Sequence, residues 1–556
     1  MISSSHRSRV SRAALFVVPA LALLCFQPAC NAIFGLDERY PYPPDAGIGG
    51  SGGSSACEPG AVESCYAGPA DTEGIGVCRA GTKNCNADGL SFGPCQGDVT
   101  PQPDNCATPM DEDCDGLAPP CTGAPLWSKR FGGDSDDVTY SVAVNSTGDV
   151  LLTGAFSGSI DFGGGPLTSA GLRDLFIVKL EGGTGKHLWS KRYGDAGLQG
   201  EIFVTTDNTG NILITGGLYG SLDFGGGVLT GGDGGSLFIV KLNGSGDVLW
   251  ARSFDNATAG LGPLIWPCSA VAADDTGNIV VSACFRGTVD FGGASLASAG
   301  AQDLFAAKFD GDGNHIWAKR FGTSSDPFGV SIAVDAMGNV LLSGSFTGAV
   351  DFGSGPVMSP DGYGLYAAKL DPNGDHIWST RVADATAPQK NITIATDSAG
   401  NALLAASFRG TADLGGMLLM SAGGLDLLAA KLNAAERHVF SRRFGDASDQ
   451  LGLAVAADEV GNAVLTGAFD GTLDFGGGPL ASAGAQDILL VKLDANGSHL
   501  WSKRFGDSAI QTGVSVVADK ANNPVVAGQF YGTVDFGNGT LVSAGSSDIF
   551  VAKFSP

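Results

Sequence analysis

Ile202 to Phe254 reads IFVTTDNTGNILITGGLYGSLDFGGGVLTGGDGGSLFIVKLNGSGDVLWARSF, and its punctuation decides the fold. Four strand-like runs rich in β-branched and aromatic residues, Ile202 to Thr206, Asn211 to Tyr219, Leu237 to Leu242 and Val248 to Phe254, are separated by Gly, Asp and Asn. Asp207-Asn208-Thr209-Gly210-Asn211 is hairpin chemistry, because Gly takes the left-handed conformation that closes a short connection. Asn243-Gly244-Ser245-Gly246-Asp247 joins the third run to the fourth in the same way. The segment therefore predicts a four-stranded antiparallel unit.

Working outward, that unit recurs. Trp127, Trp189, Trp250, Trp317, Trp378, Phe440 and Trp501 mark the fourth run, and Asp-Phe-Gly begins at Asp161, Asp223, Asp290, Asp351, Asp474 and Asp535, with Asp413-Leu414-Gly415 in the remaining place. Both series count seven, which predicts an all-β, seven-bladed β-propeller of four-stranded blades over residues 122–556. The ends of the repeat are out of phase: a Trp-bearing run, Leu126 to Phe131, comes first, and Ile549 to Phe554 comes last with no Trp run after it. A ring resolves this if the N-terminal run is the outermost strand of the last blade. In the last unit Asn522 replaces the hairpin Gly, and Asn is the best tolerated substitute there.

Composition agrees with a turn-rich globular chain. Gly supplies 86 of 556 residues without a three-residue period, which excludes collagen, and 43% hydrophobic residues excludes general disorder. A net charge of -25 argues against nucleic acid and anionic membrane surfaces as partners and permits cation binding. Residues 1–29 read as a signal peptide: Arg7, Arg9 and Arg12 precede the apolar run Ala13 to Phe26, which is short for a bilayer span. Ala29-Cys30 resembles a bacterial lipoprotein processing site, so Cys30 is expected to be acylated; plain secretion is the alternative, because Gln27 stands where such sites carry Leu. Residues 30–56, with their GGSGG core, read as a flexible tether.

Residues 57–121 hold eight cysteines, Cys57, Cys65, Cys78, Cys85, Cys95, Cys106, Cys114 and Cys121. In an exported chain this density predicts a small disulfide-rich module, with the pairing left open, and the absence of a C-x2-C pair disfavours zinc. Asp111, Asp113 and Asp115 with Gly116 follow the opening of a calcium loop, D-x-D-x-D-G, but Thr122 replaces the closing Glu of an EF-hand. Calcium is the one cofactor expected, against the alternative of a solvated acidic turn. This segment resembles the Cys- and Asp-rich metal-binding motif that precedes repeat domains in bacterial surface proteins. The repeat itself, Asp-x-x-Gly-Asn followed by Leu-Leu-Thr-Gly and Asp-Leu-Phe-Ile-Val-Lys-Leu, resembles bacterial β-propeller repeats of extracellular proteins and lipoproteins. The resemblance implies a cell-envelope location and leaves activity open.

Repetition removes several catalytic readings. Seven Asp-Phe-Gly turns without a nucleotide loop are structural. His187, His315, His376, His438 and His499 all stand two residues before the marker aromatic, so none is a singular acid or base. Lys179, Lys241, Lys308, Lys369, Lys431, Lys492 and Lys553 share one place and read as structural or solvated. What breaks the repeat is the extra length before Cys268, which contains Trp266, read either as an aromatic anchor on a binding face or as a local cap. Cys268 and Cys284 lie symmetrically about the turn Asp274 to Asn278 and are expected to form a disulfide. The function expected is a non-enzymatic, monomeric surface scaffold that binds an extracellular protein or glycan. Two alternatives remain: a propeller hydrolase or lyase of an extracellular polymer with carboxylates in the central channel, and a calcium-dependent adhesion protein.

Overall fold

The computed structural model describes residues 57–102, 111–112, 114, 122–195, 201–218, 220–232, 235–255, 268–300, 302–322, 327–385 and 392–556. By contacts the chain divides into two compact units, residues 1–61 with 84–93, and residues 62–83 with 94–556. In the first, Cys57 bonds to Cys85 and the Gly60 N–H donates to the Cys85 carbonyl (3.1 Å). In the second, Cys65–Cys95 and Cys78–Cys114 are disulfides, as is Cys268–Cys284 further on. Four disulfides fit an oxidising compartment. Cys106 and Cys121 lie outside the described residues.

The rest of the second unit is a propeller of antiparallel sheets, each named here by the first residue of its innermost strand. The Ile202 blade pairs Ile202–Thr206 with Ile212–Leu218, then Ser236–Leu242, then Val248–Asp255. The Asp137, Ser269, Ile392 and Gln450 blades repeat that order. In the Gln511 blade the outermost strand is Pro125–Phe131, which pairs with Asp548–Phe554, Trp127 opposite Lys553 and Phe131 opposite Ile549. The earliest strand thus closes the ring. Innermost strands of successive sheets pack against one another all the way round.

The expectation of a seven-bladed propeller is corrected: among the described residues there are six four-stranded blades. The remaining place is taken by a six-stranded sheet, the Pro327 sheet, whose outer strand His376–Ala385 pairs through Ala383 and Ala412 with a hairpin from the next unit. The cause is local. Five of the other outer strands end at a glycine, Gly132, Gly194, Gly322, Gly445 or Gly506, and that of the Ile202 blade stops with Asp255, whereas the equivalent residue here is Ala383 and the strand runs on to Ala385.

Each seam between neighbouring sheets is built from the repeat. In the Asp-Phe-Gly turn of the Asp137 blade, Asp161 Oδ1 accepts from the N–H groups of Gly163 (2.7 Å) and Gly165 (3.0 Å), while Phe162 is buried between Phe131 (5.0 Å) and Phe176 (4.8 Å). The motif is a core anchor. Marker indoles reach across the seam: Trp127 Nε1 donates to the Gly182 carbonyl (3.0 Å), Trp250 Nε1 to Gly311 (3.1 Å) and Trp317 Nε1 to Pro372 (2.9 Å). Histidines pack flat over the outer hairpins, so that a Cβ on Gly164 would lie 2.2 Å from His187 Cε1, which explains the invariant small residue beneath the ring. Asp174, Asp303, Asp426, Asp487 and Asp548 are fully buried, each paired with an Arg from the outer strand of its own sheet.

The lysines at one place per unit are buried structural cations. Lys492 and Asp458, both inaccessible, pair at 3.0 Å; Lys369 pairs with Asp335 (2.8 Å) and Lys431 with Asp397 (2.7 Å). Lys369 Nζ also donates to the Gly400 carbonyl of the next sheet (2.8 Å) and Lys431 Nζ to Gly461 (2.9 Å). A buried charge needs this much pairing to offset the loss of water.

Candidate functional site at the channel mouth

Six of the seven lysine partners are the first residues of the Asp-x-x-Gly-Asn hairpins, Lys179 pairing instead with Asp149 at the end of its turn, and these hairpins surround one end of the axis. In the Ser269 blade, Asp274 Oδ1 accepts from the N–H groups of Thr276 (3.0 Å) and Asn278 (2.9 Å), while Oδ2 accepts from Asn278 Nδ2 (2.9 Å) and Lys308 Nζ (2.9 Å). Gly277 sits at φ +83°, so only this residue type closes the turn without strain. Burial opposes ionisation of Asp274, but the hydrogen bonds from Lys308, Thr276 and Asn278 outweigh it and hold the carboxyl down at about 2. The same balance lowers Asp207, Asp335 and Asp397. These aspartates are saturated by the turn and have no spare chemistry.

The next residue in each hairpin is different. Ser146, Asn208, Asp275, Ala336, Ser398, Glu459 and Lys520 follow the fixed Asp or Asn, and all seven are exposed. They vary where their neighbours repeat. Ser146, Asn208, Asp275, Glu459 and Lys520, drawn from five blades, line one cavity of about 340 Å³ on the axis, within the size range of small-ligand clefts. Asn208 Nδ2 donates to the Asp275 carbonyl, and the Glu459 N–H donates to Asn522 Oδ1 (2.9 Å), so backbone positions around the mouth are tied together. The result is two carboxylates, one ammonium, one amide and one hydroxyl facing a shared space. That set can hydrogen-bond a polyhydroxylated ligand and can move a proton.

These residues escaped the sequence reading, which looked for singular carboxylates on inner strands; the signal was the variation between repeats at the second position of the turn, next to a third position, from Thr147 to Ala521, that varies as well. Of the residues that reading did single out, Cys268 and Cys284 are bonded to each other, Cα–Cα 5.4 Å, across the hairpin that carries Asp275. Asp111 is described, and its carbonyl accepts from the Val77 N–H (3.0 Å). Asp113, Asp115, Cys30 and Trp266 lie outside the described residues. Among the described residues no group of three or more His, Cys, Asp or Glu side chains is arranged to hold a metal ion.

No protein-family model matches the chain. It is similar to an uncharacterised WD repeat-containing protein of Acanthamoeba polyphaga mimivirus, 23% identical over 521 aligned positions that cover 77% of this chain and 32% of that protein. The chain spans about a third of that relative's length. Both observations agree on a propeller repeat protein. Among solved structures, the Penicillium chrysogenum α-L-arabinanase complexed with arabinobiose shares 12% identity with TM-score 0.36, covering 78% of this chain and 98% of the arabinanase. A PL25 ulvan lyase shares 13% with TM-score 0.39, covering 75% and 97%. The quinohemoprotein alcohol dehydrogenase of Comamonas testosteroni shares 12% with TM-score 0.35, covering 77% and 76%. These likenesses concern the fold alone. The expectation of a non-enzymatic protein is withdrawn, because a propeller fold by itself does not decide between a binding scaffold and an enzyme.

Proposed function

We propose that this protein binds an extracellular polysaccharide at the channel mouth and acts on it as a hydrolase or lyase, with Asp275 and Glu459 as the acid and base and Lys520 as the cation that orients the chain end. The observation that supports the reading is the convergence of the variable turn residues from five blades on one cavity. A rigid ring with saturated turns supplies what such a site needs, because the backbone behind each side chain is already fixed and little ordering is left for the ligand to cause. Paired carboxylates are the usual means of cleaving a glycosidic bond, one protonating the leaving oxygen and the other activating water or the anomeric carbon. Acylation of Cys30 and the tether of residues 30–56 would hold the enzyme at the cell surface, and calcium at Asp111, Asp113 and Asp115 would stiffen the module next to the tether.

The test is a panel of neutral and acidic polysaccharides assayed for new reducing ends and for absorbance of unsaturated uronates. One polymer class is expected to be cleaved, with D275N and E459Q each lowering kcat by about 100-fold or more while the melting temperature stays within a degree or two. Cleavage that survives in both variants would place the chemistry elsewhere. Absence of both cleavage and binding across the panel would end the polysaccharide reading.

A further inference from the structure

The seam that closes the ring carries one carboxylate more than the two seams that precede it. In the Gln450 and Gln511 blades, the first residue of the innermost strand is a glutamine beside the buried aspartate of the preceding sheet. A Cβ on Gly445 would lie 2.4 Å from Gln450 Oε1 and 2.5 Å from Asp426 Oδ1, and one on Gly506 would lie 2.3 Å from both Gln511 Oε1 and Asp487 Oδ1. At the closing seam the equivalent residue is Asp137. There a Cβ on Gly132 would lie 2.3 Å from Asp548 Oδ1 and 3.1 Å from Asp137 Oδ2, so the two carboxyl groups meet at one buried point.

Both side chains are inaccessible, and neither Asp137 Oδ1 nor Asp548 Oδ1 has a well-aligned hydrogen-bond partner. The other oxygens are committed: Asp548 Oδ2 accepts from Arg130 Nε and the Ala544 N–H (2.8 Å), and Asp137 Oδ2 accepts from the Gly133 N–H (2.8 Å). The charged groups around Asp137 are Asp548 and its partner Arg130 on the closing strands, Arg173 on the loop before the third strand, Asp134 and Asp136 on its own segment, and Glu201 beside the adjoining inner strand. Asp136 is already engaged by Ser546 and Ser547, which lower it.

We propose that the closing seam is a pH-sensitive latch, relaxed in acid when Asp137 carries its proton and strained at neutral pH and above when Asp137 must ionise beside Asp548. Two carboxylates held at one dry point cannot both be ionised cheaply. Burial is the main cause that pushes Asp137 up to about 6, and the charge on Asp548 adds to it, while the N–H groups of Gly133 and Ser157 and the more distant Arg173 pull the other way. A carboxyl raised in the folded state takes up its proton on folding. Its favourable effect is therefore fully present below about pH 4 and is lost progressively as pH rises from there through about 6. The seam concerned is the one whose outer strand, Pro125–Phe131, is held to its blade by strand pairing and not by a hairpin.

The experiment compares thermal unfolding of the full chain and D137Q, which installs the glutamine of the other seams, from pH 5 to pH 8. The latch predicts that D137Q melts about 2 to 4 °C above the native protein at pH 8 and that the difference falls to about half of that at pH 5. Subtraction removes contributions from every group common to both proteins. A constant difference across the range, or none at any pH, would overturn the proposal. Hydrogen exchange of the native chain supplies a second test that needs no variant to fold. After correction for intrinsic rates, amides of Pro125–Phe131 are expected to exchange several-fold faster at pH 8 than at pH 5, while Ala463–Phe469 does not change. Equal protection of the closing strand at both pH values would equally dispose of the latch.

Discussion

The Gln450 blade and the Pro327 sheet come from the same repeat, yet their interiors differ in how completely polar groups are satisfied. In the Gln450 blade, Thr466 Oγ1 donates to the Leu489 carbonyl (2.8 Å), Arg504 Nη1 to Asp487 Oδ2 (2.6 Å) and Trp501 Nε1 to the Pro556 carbonyl (3.2 Å). At the matching places of the Pro327 sheet, Ser343 Oγ, Trp378 Nε1 and Arg381 Nε have no partner among the described residues, and neither does the hydroxyl of Tyr366, which stands where the Gln450 blade has Leu489. The sheet has lost the aspartate that should receive the arginine, because Gly364 occupies its place, and Arg381 turns to Asp384 instead. Across the seam, Glu436 holds a φ of 65° where Gly185, Gly246, Gly313, Gly374 and Gly497 close the equivalent turns. Several departures from the repeat thus meet at this seam, while the Ile202 blade carries its own, with Ser236 in the place of the aspartate and Asp255 in that of the glycine. A repeat tolerates irregularity best when neighbouring defects share one cost, since each repeat unit contacts only its neighbours.

The comparison can be broken first at the regular blade. Replacing Lys492 by Ala strands the Asp458 charge in a dry site and is expected to cost about 3 to 5 kcal/mol, read from urea unfolding. Lys179, whose partner Asp149 is partly solvated, should cost only about 1 kcal/mol when replaced in the same way. Equal costs would mean that burial does not set the strength of these pairs. In the irregular sheet the sign should reverse. Tyr366→Phe removes a buried hydroxyl with no partner and should stabilise by about 1 to 2 kcal/mol, and Glu436→Gly should add about 1 kcal/mol by relieving the left-handed backbone. Loss of stability in both variants would show that this seam is as well fitted as the others. The smallest effect is in acid. Asp274 is held near 2 in the fold against an ordinary value of 3.8, so its contribution is complete above about pH 4 and fades as pH falls toward 2. D274N should flatten that part of the stability profile.

Much of the fold was legible because the repeat states its turns openly. Asp207 to Asn211 announces a hairpin, Phe162 and its counterparts announce a core, and the phase shift between Leu126 and Ile549 announces closure by the first strand. The merged Pro327 sheet was not legible, since it depends on Ala383 continuing a strand that Gly ends elsewhere, a difference of one methyl group with no signature in hydrophobic pattern. The site was hidden for a different reason. Asp275 and Glu459 sit 184 positions apart in unrelated surroundings and become neighbours only because the ring brings the same turn position to a common axis. The lysines showed the reverse: their invariance was visible, but only geometry reveals that each lies buried against a turn carboxylate.

Because the Asp-x-x-Gly-Asn turns are held mainly by their first and last residues, the exposed side chain after the first carries little of the fold, Asn208 with its bond to the Asp275 carbonyl excepted. Selection can exchange Ser146, Asn208, Asp275, Ala336, Ser398, Glu459 and Lys520 one at a time, or several at once, without first finding a compensating change in the core. The axis end of this propeller is in that sense an evolvable display. Descendants of such a chain can keep one skeleton and drift from ligand to ligand through seven positions alone.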